Sequence, residues 1–133
     1  MDLQLEGRTA LVTGASAGIG RGITLALGAE GVRLALAARR KTLLDEVAAE
    51  VLALGASKPV VIECDLMQED AAERIALAAL SGLGSVDILV NNAGGSRAFK
   101  LDAGEAQWNE ALTLNFTRQR QIAHRLLAQM VER

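Results

Sequence analysis

The sequence predicts an α/β fold in which a doubly wound parallel sheet has strand order 3-2-1-4. Three observations lead there. Four short apolar runs alternate with four longer segments of helical periodicity. The segments between the runs are long enough for crossover helices, which pair strands in parallel and, by their right-handedness, cover both sheet faces. The first run also passes straight into the glycine-rich turn Thr13-Gly14-Ala15-Ser16-Ala17-Gly18-Ile19-Gly20 and then into a helix.

The first strand spans residues 8–13, and the following helix carries Ile19, Ile23, Ala26 and Leu27 at helical spacing until Gly31 stops it. Residues 32–38 are almost continuously apolar, as expected of a strand covered on both faces. A helix over 42–54 presents Leu43, Val47, Val51 and Leu54, with Thr42 and Asp45 spaced for a capping box and Gly55 as its stop. Pro59 opens a third strand over 59–64, where a missing N–H does least harm. An alanine-rich helix over 68–81 turns Ile75, Ala79 and Leu80 inward, and a fourth strand covers 86–91. The last helix runs from about 106 to 133, with Trp108, Leu112, Asn115, Gln119, Ile122, Leu126 and Met130 as its buried stripe. Arg118, His124 and Arg125 fall off that stripe and are expected to face solvent.

Composition narrows the function. With 133 residues, half of them apolar, the chain builds one compact core, so residues 1–133 are expected to form a single domain. A net charge of −2 gives no electrostatic footprint for nucleic acid or an anionic membrane. No apolar run reaches the roughly 18 residues of a membrane span and the N-terminus lacks a leader pattern, which makes the cytoplasm the expected location. A single cysteine, Cys64, excludes an internal disulfide and reads as a buried inert thiol; a single histidine leaves no metal-ligand cluster. Tyrosine does not occur.

In such a sheet, ligands bind beyond the carboxyl ends of the strands at the switch point between strands one and four. Gly14 sits where the chain leaves the first strand, Gly18 admits the phosphates of a dinucleotide, and Gly20 lets the new helix close on the sheet. Amides at that helix start attract phosphate charge. About twenty residues on, where an acid would bind the ribose of NAD, stand Arg39 and Arg40. They are either a solvated pair or a clamp for the 2′-phosphate of NADP. Asp65 either caps the following helix or accepts from an adenine amino group. Asn91-Asn92-Ala93-Gly94-Gly95 ends the fourth strand as a plain turn or as amides that bond a ligand. Asn115, an amide on an apolar stripe, is a satisfied core residue or part of a site.

Taken together, the glycine turn, the Asn91-Asn92-Ala93-Gly94 segment and Asn115 resemble the N-terminal half of the short-chain dehydrogenase/reductase family over nearly the whole chain. The resemblance implies a Rossmann fold whose Gly14, Ser16, Gly18, Ile19 and Gly20 line the pyrophosphate. It implies that Asp65 and Leu66 flank the adenine and that Asn92, Ala93 and Gly94 border the nicotinamide-side ribose. Arg39 matches NADP-preferring members, whereas Ala17 stands where many of those carry a basic residue. Asn115 matches the asparagine that helps hold a water in the family's proton relay. The implied activity is hydride transfer between NADP(H), rather than NAD(H), and a small carbonyl or alcohol substrate. The family's catalytic tyrosine, lysine and serine find no match in residues 1–133, so the sequence reads as a dinucleotide-binding domain incomplete at its C-terminal end and inactive alone. The alternative is a non-catalytic dinucleotide-binding or assembly module. The resemblance also implies a homo-oligomer, dimer or tetramer, and a substrate border formed by the loop with Arg97, Phe99 and Lys100.

Overall fold

In a computed structural model that describes residues 2–95 and 100–133, the chain forms a four-stranded parallel sheet flanked by helices. Strands β1 (Thr9–Thr13), β2 (Arg33–Ala38), β3 (Val60–Glu63) and β4 (Ile88–Val90) lie in the order β3-β2-β1-β4. The register places Leu11 beside Ala35 on one side and Leu89 on the other. The expected doubly wound topology is therefore observed. Side chains alternate along β1 and separate two cores: Ala10 and Val12 join Leu34 and Leu36 beneath helices α1 (Gly18–Ala29) and α2 (Lys41–Ala53). Leu11 joins Ala35, Ala37 and Ile62 beneath α3 (Ala71–Leu83) and the chain's last helix.

Four details differ from the sequence reading. The face of α1 toward the sheet is Gly20, Thr24 and Gly28, while Ile19 is 75% exposed and Ala26 is also exposed. The helix packs closely at both ends of that face: a Cβ on Gly20 would lie 2.0 Å from Gly14 O, and one on Gly28 would meet Val51 Cγ1 of α2 at 3.1 Å. In α2 the buried positions are Leu44, Val47, Ala48 and Val51, with Leu54 exposed. No capping box forms; Arg40 takes the N-cap position and Lys41 pairs with Asp45 at 2.8 Å one turn on. Helix α3 begins at Ala71 rather than 68, because Asp65 Oδ1 accepts from Met67 N at 2.9 Å and closes a turn first.

The largest difference lies in the last helix. It is α4 (Glu105–Leu112), a π-turn over Thr113–Thr117 and α5 (Arg118–Glu132). One extra residue in a turn rotates everything beyond it by about 100°, so an apolar stripe drawn for a continuous α-helix cannot hold through it. Ile122 and Leu126 are fully buried against α3, whereas Trp108 and Leu112 are about half exposed. His124 and Arg125 face solvent as expected. Arg118 does not: it is 8% exposed, on the buried face of α5 one turn before Ile122 and two before Leu126.

Candidate dinucleotide-binding site

A cleft of about 650 Å³ lies beyond the carboxyl ends of the strands, where the loops after β1, β2, β3 and β4 converge. Its wall at β1 begins with Thr13, Gly14, Ser16 and Ala17. Gly14 adopts φ +64°, and a Cβ there would come within 2.9 Å of both Ala93 Cα and Asn92 Nδ2. A Cβ on Gly20 would lie 2.0 Å from Gly14 O, so this turn closes only between glycines. Ala17, the N-cap of α1, has no side chain able to accept a hydrogen bond. The amides of the first helical turn are left without a side-chain cap at the edge of the cleft, which suits an anionic group.

At the end of β2, Ala38, Arg39 and Arg40 line the cleft, and both arginines are exposed, their guanidinium groups without a hydrogen-bond or ion-pair partner among the described residues. Beyond β3 the wall is Cys64, Asp65, Leu66 and Met67. Asp65 does not cap α3, whose N-cap is Asp70; its carboxylate holds the Met67 amide. Cys64 is buried, and burial pushes its thiol up from its ordinary range, which keeps it in the unreactive protonated form.

The β4 end is tied to β1 by one hydroxyl. Thr13 Oγ1 donates to Val90 O at 3.3 Å and accepts from Asn92 N at 3.2 Å and Ala93 N at 3.0 Å. Asn92 Nδ2 donates to Gly14 O at 3.2 Å and so ties the fourth strand end to the glycine turn. Asn91 points away from the sheet end and donates to Gln119 O at 3.2 Å. The double asparagine is thus a pair of braces rather than a plain turn.

Asn115 lies in the π-turn and is exposed, not buried as its place on the stripe predicted, yet its amide is fully engaged. Its Oδ1 accepts from Gly95 N at 3.0 Å, while Nδ2 donates to Gly95 O at 2.7 Å and Ala111 O at 2.8 Å. Gln119 Nε2 donates to Ala93 O and, at 3.4 Å, to Leu114 O. Both amides bond back to carbonyls four or five residues earlier, where the widened turn loosens the regular ladder.

Of the residues singled out from the sequence, Gly14, Ser16, Arg39, Arg40, Asp65, Leu66, Asn92, Ala93 and Gly94 line the cleft. Gly18, Ile19, Gly20 and Asn115 do not; Gly18 and Gly20 shape the turn and Asn115 acts on Gly95, which does line it. Arg97 and Phe99 lie outside the described residues, and Lys100 is exposed. Sequence reasoning missed Thr13, Gln119 and Arg118. A strand-end threonine carries no local signal of such a role; Arg118 does carry one, since it stands four and eight residues before Ile122 and Leu126 on one helical face. Among the described residues no group of His, Cys, Asp and Glu side chains could hold a metal, and no helix is long and apolar enough to cross a membrane.

The family model for short chain dehydrogenases matches residues 8–133. The chain belongs to the short-chain dehydrogenase family. A short chain dehydrogenase of Pseudocercospora fijiensis is 44% identical over 98 residues, covering 71% of this chain and 30% of the relative. The crystal structure of a 7α-hydroxysteroid dehydrogenase complexed with NADH and 7-oxo glycochenodeoxycholic acid superimposes with a TM-score of 0.93 at 31% identity, over 98% of this chain and 51% of the other. That of L-sorbose reductase from Gluconobacter frateurii with NADPH and L-sorbose gives 0.92 at 27% identity, over 98% and 50%. The chain thus spans about half the length of these dehydrogenase structures and a smaller share of the fungal relative.

Proposed function

We propose that residues 1–133 are the NADP(H)-binding domain of an oxidoreductase that transfers a hydride between the nicotinamide and a small carbonyl or alcohol substrate. The observation that carries the reading is the convergence of four strand-end loops on one cleft, with an uncapped helix start at one wall and two unpartnered arginines at another. The cradle fits the group: Gly14 and Gly20 leave no room for a Cβ, and the α1 amides are open to a phosphate. When bound, the nicotinamide supplies or accepts the hydride at the substrate carbon. The chain's own residues bind and orient. Gly14, Ser16, Gly18, Ile19 and Gly20 hold the pyrophosphate, Asp65 and Leu66 the adenine, and Asn92, Ala93 and Gly94 the nicotinamide-side ribose. Arg39, with Arg40 beside it, grips a 2′-phosphate that NAD lacks, since an acid that would favour the bare ribose is missing there. Similar structures hold NADH in one case and NADPH in the other, so this choice rests on the two arginines.

Asn115 keeps Gly95 and the nicotinamide-side wall in place and belongs to the proton relay. The acid/base tyrosine lies outside residues 1–133, which contain none. These residues alone are therefore inactive as a reductase. Exposed apolar residues of the last helix, Trp108, Leu112, Phe116, Leu127 and Val131, support assembly into a homo-oligomer, with the cytoplasm as its location.

Titration of the purified protein with NADPH and NADH, read by nicotinamide fluorescence, tests the reading. NADPH binds at least about tenfold more tightly, and Arg39→Asp lowers NADPH affinity by roughly 10- to 100-fold, the range of a charge-assisted phosphate contact, while leaving NADH within a few-fold. Equal affinity for the two in the unaltered protein overturns the preference; failure to bind either overturns the site.

A further inference from the structure

Arg118 opens α5 one residue past the π-turn, and its guanidinium reaches the loop after β3. Nε donates to Leu66 O at 2.7 Å and to Gln68 O at 3.1 Å, and Nη2 donates to Met67 O at 3.4 Å. Nη1 donates to Gln121 Oε1 at 3.1 Å. Three consecutive main-chain carbonyls, at least 50 residues away in sequence, thus converge on one side chain. These partners are neutral oxygens. A planar fork that ends on backbone carbonyls constrains the path of that backbone, which a carboxylate partner on a flexible stem would not do.

The same helical turn holds the opposite wall. Asn115 grips Gly95 through both of its amide atoms, and Gln119 grips Ala93. Leu66 and Met67 line the cleft after β3, and Ala93 and Gly95 line it after β4. Residues 115–119 therefore bear on the loops after both β3 and β4, and Arg118 is held inward on the α5 face that also buries Ile122 and Leu126.

We infer that Arg118 is a positioning residue for the adenine end of the dinucleotide site: by clamping the Leu66, Met67 and Gln68 carbonyls it holds that loop at a fixed distance from the nicotinamide-side wall. The inference rests on the dinucleotide reading above and adds the element that spaces the two halves of the site. Met67 and Gln68 are exposed, so water can replace the guanidinium on their carbonyls when Arg118 is changed. The loop then loses its fixed shape while the cores beneath α3 and α5 remain.

The test uses half-molecules of the cofactor on the purified protein: 2′,5′-ADP for the adenine half and nicotinamide mononucleotide for the other, each titrated by calorimetry. In R118M, 2′,5′-ADP binds about tenfold more weakly, because an unordered loop must be ordered on binding, while nicotinamide mononucleotide changes less than about twofold. R118K keeps charge and bulk, guards against a variant that fails to fold, and loses part of the same affinity because a rotatable ammonium on a flexible stem does not fix the carbonyls as a planar fork does. Unchanged 2′,5′-ADP affinity in a folded variant overturns the inference. So does an equal loss for both probes, which marks general destabilisation. If the unaltered protein binds neither 2′,5′-ADP nor ADP, the dinucleotide reading itself fails, independently of Arg118; if it binds ADP alone, only the NADP preference fails and ADP serves as the adenine-half probe.

Discussion

Two corners of the cleft are built by opposite means. The corner after β1 is made by missing atoms: glycines at 14 and 20 let backbone touch backbone, a Cβ at Gly20 would overlap Gly14 O, and Gly18 supplies a turn at φ +57°. The corner after β4 is made by added atoms: amides of Asn92, Asn115 and Gln119 reach across 20 to 78 residues of sequence to hold it. Thr13 Oγ1 joins the two corners. Steric closure is rigid and insensitive to solvent conditions, whereas bracing by hydrogen bonds is graded, because water can replace a lost exposed partner.

The sharpest way to break this contrast is Gly20→Ala. The new methyl meets backbone, which cannot swing aside as a side-chain tip would, so a loss of about 3 kcal/mol or more is expected in chemical denaturation, together with loss of NADPH binding. A stable, binding-competent variant would show that α1 can tilt away. Thr13→Val should cost about 2 to 3 kcal/mol, since it keeps the shape but orphans the Asn92 and Ala93 amides at a 1% exposed position. Thr13→Ser should recover most of it, and equal losses in both variants would refute the hydroxyl's role.

Asp87, just before β4, supplies a pH-dependent brace. The Thr9 amide, followed by Arg133 and the Thr9 hydroxyl, holds its carboxyl below the usual carboxylate range. The stabilisation is present above the unfolded pKa near 4 and is lost as pH falls through the lower folded value. Asp87→Asn should therefore cost about 1 kcal/mol at neutral pH and flatten the acid limb of the stability profile. An unchanged acid limb would remove Asp87 from this account. Asn115→Ala should have the smallest effect on stability, about 0.5 to 1 kcal/mol, because the position is exposed. Hydrogen exchange at the Gly95 amide should nonetheless accelerate, and unaltered exchange there would show that Asn115 does not hold the loop.

The strand order, the glycine turn and nine of the cleft's lining positions were readable from the chain. The strand order and the glycine turn depend on local pattern, apolar runs covered on both faces and glycines that the turn geometry demands; the polar lining positions follow from their places at strand ends, and Ser16, Leu66 and Ala93 came from the family resemblance alone. The inward face of α1 was misread because hydrophobic periodicity points to large residues, while close packing against the turn after β1 and against α2 selects Gly20 and Gly28. Asn115 was found as an amide at an apolar spacing, but its exposure and its partner Gly95 were not.

By itself, the sequence determined the parallel sheet, its order and the placement of a phosphate-shaped turn at the end of β1, because short-range sterics and burial periodicity decide those features. Only the tertiary structure decided the π-turn, the inward course of Arg118 and the bracing of the β4 end. The last two pair side chains with backbone that is close in space and remote in sequence, which no local pattern records.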